Sequence, residues 1–316
     1  MLTPKHSSSV PAEVHESNDV DVLAAFLEDM RAKQSDLAQD FESLDQPHLF
    51  HYTDLEGLRG FVTDLPRLTH ARYMNDEREM SRGYEIAERV ISEAKTERTD
   101  GGWQTYLERV QERLSDRAFR GVYVCCFCQD DGDRLSQWRS YGGGAGVSIK
   151  VNLNHVYKHD RPCGGLMRPW KVYYDTKTPR QILRSAIGFV FDRPQPVTLT
   201  HTQRALQAAE IIEFFLPTFK HRGFEEEKEW RLIFTPSFSS EHKPKFRTAR
   251  GLLIPYFSLK ELYNDSKEPF GWPLITGVRV GPSVHQQSNV QSANMLLEQH
   301  GYGLISAERS DIPYRG

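Results

Sequence analysis

The chain has 316 residues, 38% of them apolar and 11% aromatic, which is enough to build the core of one large domain or two modest ones. It contains no run of 18 or more apolar residues, and its opening stretch lacks an apolar central segment, so neither a transmembrane helix nor a secretory signal is expected. The net charge of −3 is uneven, because residues 1–46 carry 3 Lys+Arg and 10 Asp+Glu while the remainder carries 37 and 33. A mildly basic body therefore lies under an acidic N-terminal segment. Such a body suits an anionic small ligand such as a dinucleotide and falls short of the strongly basic face that a duplex calls for. The four cysteines (Cys125, Cys126, Cys128 and Cys163) are too few and too clustered for a disulfide scaffold. A reducing, cytoplasmic setting follows as the expectation.

Residues 1–17 are rich in Ser, Pro and Glu and read as a disordered tail. Over residues 18–46, Leu23, Phe26, Leu27, Met30, Leu37, Phe41 and Leu44 recur at helical spacing. This predicts an acidic amphipathic helix that packs on the body or on a second copy, with Pro47 ending it. A single α+β domain is expected over 48–316. Its first strand is Leu49–Thr53, followed by a short helix with Leu55, Leu58 and Val62 inward. Leu68–Tyr73 reads as a strand. Asp76 and Glu79 have capping-box spacing at the head of the next helix. A further helix is predicted from Trp103 to Leu114. Gly121–Cys128 has the β-branched and aromatic density of a central strand. A helical turn or two at Arg134–Tyr141 leads through a glycine-rich loop into a strand at Val147–Val151. Trp170–Tyr174 reads as a strand, and helices are predicted over Pro179–Asp192 and Thr198–His221. Strands at Glu229–Thr235, Leu252–Tyr256 and Ile275–Val280, a helix at Gln286–His300 and a strand at Gly303–Ala307 complete the pattern. Strands and helices mix without strict alternation, which favours α+β over a doubly wound sheet.

Four constellations could carry chemistry. His51 and Thr53 share a strand face and could offer an imidazole and a hydroxyl to a sugar or amide, or could simply be half-buried. Glu227, Glu229 and Arg231 share a strand face opposite Trp230 and Leu232. A carboxylate beside an arginine can bond a ribose hydroxyl and favour an oxocarbenium-like transition state. The plainer alternative is a solvated charge run before an edge strand. Trp138, Arg139 and Tyr141 precede Gly142–Gly146, where aromatics could stack on a base and the arginine could meet a phosphate, or the glycines could form a flexible loop. These glycines precede a strand and lack the Gly-Lys-Ser/Thr of a phosphate loop, so neither common nucleotide fingerprint applies. Cys126 and Cys128 fall on one strand face and Cys125 on the other. Buried structural thiols are the main reading, with a Cys–His nucleophile involving His51 as the alternative. His155 and His159 lie four apart without the intervening glutamate of a zinc helix, so no metal is expected.

Several of these stretches occur in a recognisable order. They are Leu49–Thr53 with Leu55–Phe61, Arg72–Glu77 with its Asn75-Asp76, Val124–Cys128, Trp138-x-x-Tyr141 and Gly146–Ile149. Lys220-His221 followed by Glu227-x-Glu229-Trp230-Arg231, and Val278–Pro282, complete the set. In this order the chain resembles the bacterial family catalogued as domain of unknown function 2971, over residues 48–315. That family is distantly similar to ADP-ribosyltransferase-like folds. The resemblance implies a central mixed, mostly antiparallel split sheet flanked by helices. It also implies transfer of ADP-ribose from NAD, as substrate, to a protein or nucleic-acid acceptor, in a defence or toxin setting. Under it, Glu229 and His51 are the catalytic pair, and His51, Tyr52, Thr53, Asn75, Trp138, Tyr141, Glu227 and Arg231 line the nucleotide. Tyr141 would stack the nicotinamide. The alternative is a non-catalytic nucleotide or nucleic-acid-binding module using the same residues, reporting to a partner, or to a second copy, through the N-terminal helix. Convergence of His51, Tyr141 and Glu229 in one pocket would favour the enzyme, and divergence would favour the binding module.

Overall fold

The computed structural model describes residues 19–33, 48–74, 77–115, 121–159, 164–194, 199–237, 240, 242–249, 251–264 and 274–313. In chain order the first elements are α1 (Asp19–Lys33), β1 (Leu49–Asp54), α2 (Leu55–Asp64), β2 (Arg67–His70), α3 (Glu77–Glu97) and α4 (Gly101–Ser115). Next come β3 (Tyr123–Gln129), α5 (Leu135–Tyr141), β4 (Gly146–Val151), α6 (Asn154–Lys158), β5 (Gly165–Lys171), α7 (Lys177–Asp192) and α8 (His201–Phe215). The last are β6 (Glu229–Pro236), β7 (Lys245–Ala249), β8 (Leu252–Ser258), α9 (Leu259–Asn264), β9 (Ile275–Val280), α10 (Gln286–Gln299) and β10 (Ala307–Arg309).

Among the described residues, all ten strands join one open sheet, mixed and mostly antiparallel. Only β9 and β10 run parallel among the named pairs. Strand β3 is the hub. One of its edges pairs with β6 along Tyr123–Cys128. Its other edge is divided, with β1 taking Cys128 and Gln129 and β2 taking Tyr123 and Val124. Beyond β1 the sheet continues through β4, β9 and β10, and beyond β2 through β8 and β7. The sheet thus splits into two wings at the middle of β3. Its dense apolar sequence suits a strand enclosed on both edges and both faces.

Alternation along β3 and β6 sorts the core. Val124 and Ile233 face a layer built from α1, α3, α4, α7 and α8. Tyr123, Cys125, Phe127, Trp230, Leu232 and Phe234 face a second layer to which α2, α6, α9 and α10 contribute. Helix α1 belongs to the body: Leu23, Phe26, Leu27 and Met30 are buried, and the Phe26 ring meets Phe189 and Phe215 edge-on at 5.3 and 6.1 Å. Leu37, Phe41 and Leu44, expected on the same face, lie outside the described residues, as do the tail 1–17, the expected cap Asp76 and its neighbour Asn75.

Several boundaries differ from expectation for identifiable reasons. The helix expected to reach His221 ends at Phe215 because Pro217 supplies no N–H, and a tight turn over Leu216–Thr218 replaces it. Phe219 then bridges to Tyr173 and brings Lys220 toward the sheet. The strand expected at Trp170–Tyr174 begins earlier, at Gly165, and tolerates Pro169 because among the described residues β5 pairs on one edge alone, with β6. Strand β2 stops at His70, whose ring accepts the Arg72 N–H and starts a single tight turn. The last strand is Ala307–Arg309 instead of Gly303–Ala307. Strand β7 and helix α9 were not anticipated. The charge run does not precede an edge strand, since β6 lies between β3 and β5.

Candidate functional site

The register across β1, β3 and β6 decides which side chains can meet. Residues directly opposite in an antiparallel pair share a face. Phe50 is opposite Cys128, and Cys128 is opposite Glu229. These three, with Cys126 and Arg231, therefore stand on the face that the five helices cover. His51 alternates away from Phe50 and is opposite Ile149 in the second core. Its ring lies 5.3 Å from Phe61 and 5.9 Å from Phe127. Its Nδ1–H donates to the Cys126 carbonyl at 2.8 Å, across the gap where β1 and β2 part. Burial lowers its pKa, against the opposing pull of that hydrogen bond, so the ring is neutral at physiological pH. Thr53 shares this face, packed against Gly57 of α2.

On the Glu229 face the polar groups form an array. Arg231 grips Glu229 with two bonds, Nε to Oε1 at 2.8 Å and Nη2 to Oε2 at 3.0 Å. Its Nη1 donates to the Pro217 carbonyl. Lys220 Nζ bridges Glu229 at 2.9 Å and Glu227 at 2.7 Å. The Glu229 backbone N–H donates to the Tyr174 hydroxyl at 2.8 Å. Lys220, Glu229 and Arg231 are buried, and Glu227 is less so, its side chain 15% exposed. Burial by itself would raise the Glu229 pKa. The charges of Arg231 and Lys220, with hydrogen bonds from Arg231 and the Cys126 thiol, outweigh it and hold it down to about 2. Two cations and two carboxylates balance, which is what lets so many charges leave water.

Tyr141, on the last turn of α5, faces this array and is 37% exposed. Burial pushes its hydroxyl pKa up, and the carboxylates of Glu227 and Glu229 add to that, with Lys220 opposing. Trp138 takes a different part. Its indole is buried, donates to Asp133 at 2.8 Å and meets the Tyr52 ring edge-on at 4.9 Å. A Cβ on Gly281 would come within 2.9 Å of that ring, and one on Gly146 within 2.4 Å of the Gly142 Cα. The glycines here let backbone close on Trp138. Tyr52 shares the Glu229 face, but its hydroxyl is committed to Asp130 at 3.0 Å.

Three of the thiols, Cys125, Cys126 and Cys128, lie along β3. Cys125 Sγ does lie 3.9 Å from His51 Nδ1, yet burial pushes its pKa up to about 12. Burial raises Cys126 and Cys128 as well, with Glu229 adding to both. None forms a thiolate at neutral pH, so the Cys–His nucleophile has no support. The His155 and His159 rings lie 4.5 Å apart, tilted by 37°, and among the described residues no three His, Cys, Asp or Glu side chains gather to hold a metal ion.

The array is thus drawn from α5, the residue pair Tyr173-Tyr174 after β5, the Lys220–Glu227 stretch and the head of β6. That span coincides with a family match. Residues 137–232 match the family described as protein of unknown function (DUF2971). No curated protein and no solved structure matches the chain. The DUF2971 segment contains Tyr141, Tyr174, Lys220, Glu227, Glu229 and Arg231. Of the expected trio, Tyr141 and Glu229 come together and His51 lies on the other face. Asn75 falls outside the described residues. Lys220 and Tyr174 were not among the expected site residues. Lys220 was quoted for its place in the motif order, but its role emerges only when Pro217 turns the chain back to the sheet.

Proposed function

We propose that the DUF2971 segment binds a ribose-bearing nucleotide over the Lys220–Glu227–Glu229–Arg231 array. One observation carries this reading: Tyr141 and Glu227 both reach solvent above a buried, charge-balanced base. The tyrosine ring offers a stacking surface for a base. Glu227 and Lys220 offer an acceptor and a donor suited to vicinal hydroxyls. Glu229, saturated by its own neighbours, keeps Lys220 and Arg231 in place. This is the binding-module reading, and the position of His51 on the far face favours it over catalysis. Titration calorimetry with a panel of mono- and dinucleotides tests it. Micromolar binding of at least one member, weakened tenfold or more by Tyr141→Ala and by Glu227→Gln, is expected. Absence of heat across the panel, in folded protein, would overturn it.

Transfer of ADP-ribose from NAD is the second reading, favoured by the shared face of Tyr141, Glu227 and Glu229. In it the bond between nicotinamide and the ribose breaks, nicotinamide leaves, and an acceptor nucleophile bonds to the anomeric carbon. The carboxylates would stabilise the developing positive charge. Incubation with labelled NAD and lysate or nucleic acid would show labelled acceptor and free nicotinamide. Binding of NAD without either product leaves the binding module.

A further inference from the structure

A second polar surface lies on the opposite wing, away from the DUF2971 segment. Register across β2, β8 and β7 places Arg67 opposite Ser258, Thr69 and Lys245 opposite Tyr256, and Arg247 opposite Ile254. These positions alternate in step, so Arg67, Thr69, Tyr256, Lys245 and Arg247 share one face. Lys243 precedes Lys245 by two residues at the open edge of the sheet and is exposed. The Arg67 guanidinium lies 5.3 Å from the Tyr256 ring centroid.

Exposed carboxylates answer part of this charge, Asp64 to Arg67 at 3.4 Å and Glu261 to Lys245. Arg247 is different. Among the described residues no carboxylate meets it. Its Nη2 donates to the Thr69 hydroxyl at 3.5 Å, and its Nε is buried with no hydrogen-bond partner. It is half-buried beside a like charge, and burial together with Arg67 lowers its pKa. Lysines on an edge strand can serve simply to deter edge pairing. A half-buried arginine held next to another arginine does not serve that end, and it costs stability unless an anion joins it.

We infer that this wing binds the phosphodiester backbone of a single-stranded nucleic acid. Successive outward residues on a strand stand about 7 Å apart, so Lys243, Lys245 and Arg247 form a linear row of cations along the edge. Arg247 and Arg67 supply planar forks suited to phosphate oxygens. Tyr256 supplies a ring on the same face for a base to stack against. A stripe of this width fits one strand, whereas a duplex asks for a broader basic face.

The test is fluorescence anisotropy of the full chain with labelled 20-nucleotide oligothymidylate and oligouridylate, each measured over a salt series. Binding that weakens with salt is expected. The exposed pair Lys243→Gln/Lys245→Gln, combined with Arg247→Gln, should weaken it at least tenfold and reduce the salt slope by about 2. Arg247→Lys, which keeps the charge, should recover part of the affinity, and the Lys243→Gln/Lys245→Gln variant alone serves if the triple variant unfolds. The Lys243→Gln/Lys245→Gln variant should leave mononucleotide binding at the Tyr141 site unchanged, which separates the two surfaces. No binding at low salt, unchanged affinity in the variants, or equal displacement by a poly-glutamate peptide would overturn the inference.

Discussion

Glu229 is a buried carboxylate that Arg231 and Lys220 keep ionised. Arg231 takes both oxygens, and Lys220 takes one. Glu229→Gln leaves two buried cations facing the single carboxylate of Glu227. Removing one partner of a buried ion pair typically costs about 3–5 kcal/mol, and that loss is expected in urea denaturation. A change under about 1 kcal/mol would show that the array does not hold the fold. The pH dependence follows from the lowered pKa. The stabilisation is complete above the ordinary carboxylate range and is lost as pH falls through about 2. Near-UV circular dichroism should therefore show Glu229→Gln losing tertiary signal at a higher pH than the unaltered protein. Face alternation at β6 was legible from the residues alone for Glu229 and Arg231, which do oppose Trp230 and Leu232, whereas Glu227, expected on the same strand face, ends the tight turn that precedes the strand. The separation of His51 from Glu229 was not. It depends on which residue of β1 stands opposite Cys128, a register that no local pattern records.

At the scale of elements, β3 and β6 hold the molecule together. Trp230 is 4% exposed in the second core, and its indole N–H donates to Gln129 at 3.1 Å. Trp230→Ala should cost about 3–5 kcal/mol, read as a shift in the denaturation midpoint. Near-neutral behaviour would mean that the two faces of β6 are reversed. The glycine-rich loop before β4 serves packing. Gly146→Ala would drive a Cβ into Gly142, and Gly281→Ala would press one on the Trp138 ring. Each should cost about 1–3 kcal/mol. A folded Gly146→Ala protein of unchanged stability would show that the loop shifts freely. Helices α3, α4, α7 and α10 were readable from apolar spacing. Strand β7 was hidden because none of the residues in its sequence, KFRTA, is buried, and its cations alternate with uncharged residues on an open edge.

At the scale of the molecule, one sheet carries two different helical layers and splits at β3. The α1 helix was expected either on the body or on a second copy, and its described part packs on the body. Phe26 sits between Phe189 and Phe215 in the larger layer. Phe26→Ala should therefore destabilise the whole fold by about 3–5 kcal/mol, read as a lower global unfolding midpoint. A midpoint that stays put while only helical signal declines would show that α1 detaches on its own. No described helix is long and apolar enough to cross a membrane.

Composition, apolar period and strand alternation determined the α+β class, most of the elements and the two faces of β3 and β6. These are local properties, set by which side chains tolerate burial and at what spacing. The tertiary structure decided the rest. It put Pro217 where the chain turns back, so that Lys220 reaches Glu227 and Glu229, which lie 7 and 9 residues further along the chain. It set the register that sends His51 to one core and Glu229 to the other. It brought Arg67 and Arg247, 180 residues apart in number, onto one face of the far wing. Long-range pairing selects those neighbours through packing and charge balance over the whole sheet, and no window of sequence contains that sum.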